Sequence, residues 1–161
     1  YSITKPRLGI MVEVPALIAQ IPFLSGKVDF ISIGSNDLSQ YLLALDRNNA
    51  RVASRYDHVH PGVLHEIKRI LGLAKAENIP VSLCGEMAAD PVAVVLLLGM
   101  GMRTLSMSAA KLLYIKRLIR SISLPQAETI AGRALRLNHP DQIRRLVHDE
   151  LNRLKLDELI R

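Results

Sequence analysis

Phe30-Ile31-Ser32-Ile33-Gly34-Ser35-Asn36-Asp37-Leu38 joins an apolar run to a polar loop and then to a helix, and that order decides the fold. Residues 28–33 read as a buried strand, 34–37 as the polar loop after it, and 38–45 as a helical run. The apolar run is continuous rather than alternating, as in parallel strands covered on both faces. The same unit recurs on either side. Residues 8–14 read as the preceding strand, ended by Pro15 and followed by a short helix over 16–21. Residues 80–84 read as a third strand and 104–107 as a short fourth.

The helices between the strands carry their own boundary signals. His60-Pro61 opens one, with proline at a tolerated first position. Val63, Ile67, Ile70, Leu71 and Ala74 recur along it at three- and four-residue steps, giving one buried stripe. Asp90-Pro91 opens the next with Asp90 as N-cap, and Gly99 is placed to end it. Strand–helix alternation with short links implies right-handed crossovers and a parallel sheet. After Ser121 the strands stop. Ser123-Leu124-Pro125-Gln126 fits a capping box, and Asn138-His139-Pro140-Asp141 starts a further helix with a stripe of Ile143, Leu146, Val147, Leu151 and Leu154. The expected organisation is an α/β unit over 1–121 and a helical tail over 122–161. A complete (β/α)₈ barrel takes about 250 residues, so about four βα units fill half of one. A small open α/β sheet is the alternative that length alone leaves open.

Composition narrows the function. The 161 residues suffice for one core, built from Leu, Ile, Val, Ala and Met because aromatics are only 4% and Trp is absent. Cys84 is the single cysteine, which excludes an intrachain disulfide and gives no sign of a thiolate zinc cluster. The start carries Lys5, Pro6 and Arg7 with no apolar run behind them, so no secretory leader is expected. The longest apolar stretch, 92–102, is about half of what a membrane span needs. A cytoplasmic protein without membrane insertion is the expectation. The net charge of +6 invites a nucleic-acid reading, but its distribution argues against one. Lys111, Lys116, Arg117, Arg120, Arg133, Arg136, Arg144, Arg145 and Arg153 are spread along helical patterns, with Asp and Glu between the later ones and no aromatic platform beside them. They read as a solvated face or a subunit contact.

Ligands of parallel α/β folds gather at the C-terminal ends of the strands. Glu13 stands at the end of the first strand and Asn36 and Asp37 at the end of the second. Neighbouring strands lie about 4.8 Å apart, so Glu13 and Asp37 are placed to share one hard cation. Mg²⁺ is held in this way, by one or two carboxylates with positions left for water and phosphate oxygens. The structural alternative has Asp37 capping the next helix and Glu13 paired with a basic side chain. Arg47 lies within reach of the same rim and its planar fork suits a phosphate; a surface role is the alternative. Cys84 closes the third strand ahead of Gly85 and Glu86, either as a small core residue or as an exposed reactive thiol. His58, His60, His65, His139 and His148 stand in no metal spacing and read as structural or surface residues. Gly99-Met100-Gly101 lacks the ending of a phosphate-binding loop.

Three stretches in order, Gly9-Ile10-Met11-Val12-Glu13-Val14-Pro15, Phe30 through Leu38, and Leu83-Cys84-Gly85-Glu86-Met87-Ala88, resemble the phosphoenolpyruvate-utilising enzymes. That family comprises enzyme I of the bacterial phosphotransferase system, pyruvate phosphate dikinase and phosphoenolpyruvate synthase. Gln40 through Asn49, with Asp46-Arg47-Asn48-Asn49, looks specifically like enzyme I, and Ser106-Met107-Ser108-Ala109 through Leu124 looks like its nitrogen-related branch. The resemblance runs through about the first 125 residues. It implies the C-terminal half of a phosphoenolpyruvate-binding (β/α)₈ TIM barrel. In that barrel Glu13 and Asp37 match the Mg²⁺ ligands, Asn36, Asp37 and Arg47 the substrate contacts, and Cys84 the residue that protonates the enolate carbon.

The implied reaction is phosphoryl transfer from phosphoenolpyruvate to a histidine on a separate swivelling domain, releasing pyruvate. An HPr-type phosphocarrier lies downstream. Two departures stand out: the family's further phosphate-binding arginines belong to the first half of the barrel, and Gly34-Ser35 replaces the commoner Gly-Thr. A fragment of pyruvate phosphate dikinase or phosphoenolpyruvate synthase, or a non-catalytic dimerisation or regulatory module, is the rival reading. A half-barrel exposes strand edges and apolar surface, from which a homodimer and an inactive or incomplete isolated fragment are expected.

Overall fold

The protein is described by a computed structural model covering residues 4–156 and 158. The remainder of the expected 1–121 and 122–161 segments, residues 1–3, 157 and 159–161, lies outside the described residues.

Three parallel strands, β1 (Gly9–Val12), β2 (Phe30–Gly34) and β3 (Val81–Cys84), form a sheet in that order. Gly9 pairs with Phe30 and Val12 with Ile33, and Gly34 pairs with Cys84 at the carboxyl end. Each crossover is helical. α1 (Pro15–Ile18) and a 3₁₀ turn at Ile21–Phe23 link β1 to β2, and α2 (Ser35–Leu43) and α3 (Pro61–Ala76) link β2 to β3. α4 (Pro91–Met100), α5 (Ala109–Ser121), α6 (Leu124–Ala134) and α7 (Pro140–Arg153) complete the chain.

The fourth strand expected over 104–107 is reduced to one parallel rung at Leu105 beside Leu83. Leu83 donates to the Thr104 carbonyl at 3.0 Å and Ser106 donates to the Leu83 carbonyl at 2.8 Å. The cause is the short link in which these residues sit. Left-handed Gly101 ends α4 and Ser108 already opens α5, so the chain stays extended for one rung only.

Two further boundaries differ from expectation. The polar stretch 34–37 is not a free loop, because α2 begins at Ser35 and takes Asn36 and Asp37 into its first turn. α4 does not stop at Gly99; it runs to Met100 and closes on Gly101 at φ 106°, a conformation that favours glycine. Gly99 serves another purpose. A side chain there would collide with the Ala127 backbone, so its absence lets α6 lie directly on α4.

α4 is apolar on every side, with Val92, Ala93, Val94, Val95, Leu96 and Leu97 all buried. A helix of that kind must be enclosed. α5, α6 and α7 all contact it, and Ile130, Ala131, Ile143, Val147 and Leu151 join Ile31, Ile33 and Leu83 in one hydrophobic cluster. The caps hold as the residues predict. Asp90 accepts from the amides of Val92 and Ala93, Ser123 and Gln126 form the capping box, and His60 and His139 accept through Nδ1 from Gly62 and Asp141. Among the described residues no helix is long and apolar enough to cross a membrane.

Candidate active site

The pairing of Gly34 with Cys84 brings the ends of β2 and β3 to one rim, and the site is assembled there. Ser35 donates its hydroxyl to the Cys84 carbonyl at 2.6 Å, tying the start of α2 to the end of β3. Asn36 accepts at Oδ1 from the Glu86 amide at 3.0 Å, which fixes its side chain across the same gap. Gly85 sits between them at φ 100°, and a Cβ there would strike the side chains of Ser35 and Asn36.

Cys84 is partly exposed. Its Sγ lies 3.5 Å from the Ile33 carbonyl, 3.8 Å from Met11 Sδ and 3.9 Å from Ser32 Oγ. It faces an open cleft of about 630 Å³ that is also walled by Asn36, Gly85, Glu86, Asp90 and Lys111. Of the two readings of this cysteine, the accessible thiol is the one the cleft supports.

Asp37 and Arg47 form a second cluster beside the cleft. Arg47 Nη2 lies 3.4 Å from Asp37 Oδ1, and the pair is roughly one-third to two-fifths exposed. Arg47 Nη1 is buried without a hydrogen-bond partner among the described residues, and so is Ser39 Oγ. Such a buried guanidinium nitrogen is costly unless an oxygen reaches it. Tyr56 closes this cluster, donating its hydroxyl to the Asn36 backbone carbonyl at 3.1 Å. Burial raises the Tyr56 phenol above its ordinary pKa, outweighing the opposing pull of Ser39 and Arg47.

Glu13 follows β1 and rests against Gly34, where an added Cβ would meet its Oε2 at 2.8 Å. The bare glycine is what admits the carboxylate. Glu13 and Asp37 therefore occupy the rims of adjacent strands, while Asn36 and Cys84 share the cleft. Among the described residues no three His, Cys, Asp or Glu side chains cluster to hold a metal unaided. The donor set nevertheless fits Mg²⁺, which commonly takes one or two carboxylates and completes its shell with water and phosphate oxygens.

A charged network borders the site that the residue pattern did not announce. Arg144 of α7 grips Asp57 with both prongs of its guanidinium, Nε to Oδ2 at 2.8 Å and Nη2 to Oδ1 at 2.7 Å. Its Nη1 reaches Asp90 Oδ2 at 3.0 Å, and His58 Nε2 lies 2.8 Å from the same oxygen. Arg144 is thus a partly buried member of this network, where the charge pattern reads it as part of a solvated face or a subunit contact. Burial alone would raise the carboxyl pKa of Asp90, but His58 and Arg144 outweigh it and hold the group well below the usual carboxylate range. Asp57 is likewise lowered, burial being overcome by the Arg144 hydrogen bonds and the Val59 amide. The Asp57 bonds, reinforced by Asp90 against the cost of burial, push the Arg144 pKa up. Arg144 stands next to Ile143 of the buried stripe, which was the one local hint that it lies close to the core. Tyr56 gave no signal at all, since it belongs to a segment without periodicity.

Parallel strands with a polar, partly open rim at their carboxyl ends define an α/β ligand-binding domain. The family described as "PEP-utilising enzyme, PEP-binding domain" matches residues 1–124, and the chain belongs to that family. It is similar to two proteins named "Phosphoenolpyruvate-dependent phosphotransferase system", at 44% identity in Salmonella typhimurium and 45% in Escherichia coli. Both matches span 100% of this chain and 22% of the relative. It is 41% identical to the "Phosphoenolpyruvate-protein phosphotransferase" of Haemophilus influenzae, over 90% of this chain and 25% of that protein. The chain spans about a quarter of the length of the curated relatives it matches.

Proposed function

We propose that this chain is the phosphoenolpyruvate- and Mg²⁺-binding part of a phosphoenolpyruvate–protein phosphotransferase, enzyme I of the phosphotransferase system. The parent activity is phosphoryl transfer from phosphoenolpyruvate to a histidine on another domain, which then serves an HPr-type carrier. The observation that carries the reading is the joint placement of an accessible Cys84, Asn36 and the Asp37–Arg47 pair at one strand rim, in a chain of this family. In this reading β1 to β3 and the Leu105 rung are half of a (β/α)₈ barrel, and the protein is a cytoplasmic homodimer. The likeness of the stretch from Ser106 to Leu124 to the nitrogen-related branch supports placing the parent enzyme there.

Arg47, about one-third exposed and paired with Asp37, offers its guanidinium to a phosphate oxygen, where it offsets the charge of the transferring group. Asn36, with Oδ1 spent on Glu86, keeps its amide nitrogen to donate to the substrate. Glu13 and Asp37 would hold Mg²⁺, which when bound would supply Lewis-acid chemistry at this rim. As the phosphorus–oxygen bond of phosphoenolpyruvate breaks and a phosphorus–nitrogen bond to the acceptor histidine forms, an enolate is left at the rim. The Cys84 thiol delivers a proton to its terminal carbon, giving pyruvate, and the thiolate regains a proton from solvent.

Calorimetric titration of phosphoenolpyruvate with and without Mg²⁺ tests the reading. Heat that requires the metal and disappears in Glu13→Ala supports it. No metal-dependent binding at millimolar ligand overturns the assignment of the site to this chain.

A further inference from the structure

Residues 125–161 fall beyond the matched family segment, yet one of their side chains reaches the site. Arg144 holds Asp57 through both prongs, and Asp57 is the immediate neighbour of Tyr56, whose hydroxyl carries the Asn36 carbonyl. Through its third nitrogen Arg144 also holds Asp90, which both caps α4 and walls the cleft. One guanidinium on α7 therefore fixes two separate parts of the rim. A bidentate arginine–carboxylate pair is directional as well as strong, so it sets an orientation and not merely a distance.

We propose that Arg144 is a positioning residue for the candidate active site, holding the Tyr56–Asp57 segment and the Asp90 wall so that Asn36 stays aligned at the rim. The helical tail is then part of the site's architecture. What the aligned rim binds rests on the phosphoenolpyruvate reading above; the positioning itself does not.

Three observations favour alignment over bulk stability alone. The tail is already anchored by an apolar interface of α6 on α4, including the Gly99 close approach, which does not involve Arg144. Arg133 and Glu150 separately join α6 to α7. The Arg144 contacts instead go to residues at the cleft and beside Tyr56. Removing the guanidinium should loosen that corner while the sheet and the α4–α6 contact survive.

The test compares the chain with Arg144→Met and Asp57→Asn by nuclear magnetic resonance and amide hydrogen exchange. Each variant is expected to move the carbonyl carbon resonance of Asn36, because the Tyr56 hydrogen bond is perturbed. Each is expected to speed exchange of the Val59 and His60 amides about tenfold, leaving Ile31, Ile33 and Leu83 protected. Combining the two substitutions should add little beyond Arg144→Met, which already breaks the Asp57 pair and the Asp90 contact. An unmoved Asn36 carbonyl, or an even loss of protection through sheet and α6, overturns the proposal. Should Arg144→Met fail to fold, Asp57→Asn decides alone. In the same samples, Mg²⁺-dependent phosphoenolpyruvate affinity is expected to weaken about fivefold or more, as a misplaced contact would. If the parent chain takes up no phosphoenolpyruvate, the substrate reading fails while the Asn36 resonance still decides the positioning.

Discussion

The Tyr56 hydroxyl donates to the Asn36 backbone carbonyl at 3.1 Å, linking the end of a 3₁₀ turn at Ala53–Arg55 to the first turn of α2. Through that bond the placement of Asn36 depends on more than its own helix. Tyr56→Phe keeps the ring and removes the donor. The expected result is a loss of about 1 kcal/mol of stability, the size of one net hydrogen bond, with weaker metal-dependent phosphoenolpyruvate binding. Unchanged binding would separate Tyr56 from the site.

Gly85→Ala should be more damaging than its size suggests. At φ 100° an L side chain is strained, and the new methyl group meets Ser35 and Asn36. A cost of about 1–3 kcal/mol is expected from the conformation alone. Thermal unfolding checks the stability, and the Glu86 amide resonance checks whether Asn36 has moved away from it.

Acid should destabilise the chain through Asp90 and Asp57. Both carboxyl groups titrate lower in the folded protein than in the unfolded chain, because their bonds to Arg144, with His58 at Asp90 and the Val59 amide at Asp57, outweigh burial. Their contribution is therefore complete above the unfolded carboxylate pKa of about 3.9 and is lost as pH falls through the folded values. Urea unfolding between about pH 5 and pH 2 should show stability falling steadily with acid. The fall should be shallower in Arg144→Met, where the pKa values relax upward. Parallel profiles for the two proteins would contradict the network.

Cys84 faces the cleft, so iodoacetamide should modify it in the native chain. Phosphoenolpyruvate with Mg²⁺ should slow that reaction, and either component alone should do so less. Alkylation only on unfolding, followed by mass spectrometry, would return Cys84 to the core.

The parallel strands were legible because their apolar runs are continuous, and the caps at Asp90 and Ser123 because their side chains act locally. The rim residues were legible for the same topological reason: strand ends are where ligands gather. The short fourth strand misled, since residues 104–107 have strand composition while the turn at Gly101 and the start of α5 leave room for one rung. Arg144 and Asp57 lie 87 residues apart, and nothing in the neighbourhood of either specifies the other. Their meeting follows from packing α4, α6 and α7 together, which only the folded chain displays.

Paramagnetic Mn²⁺ in place of Mg²⁺ tests the central claim most directly, by locating the metal on the amide resonances of the chain. With phosphoenolpyruvate present and Mn²⁺ well below stoichiometry, broadening should concentrate on Val14, Gly34 and Leu38 at the strand rim. It should vanish in Glu13→Ala and in Asp37→Asn. Broadening elsewhere, or broadening at the rim that survives both substitutions, would contradict a metal–phosphoenolpyruvate site built on these two carboxylates.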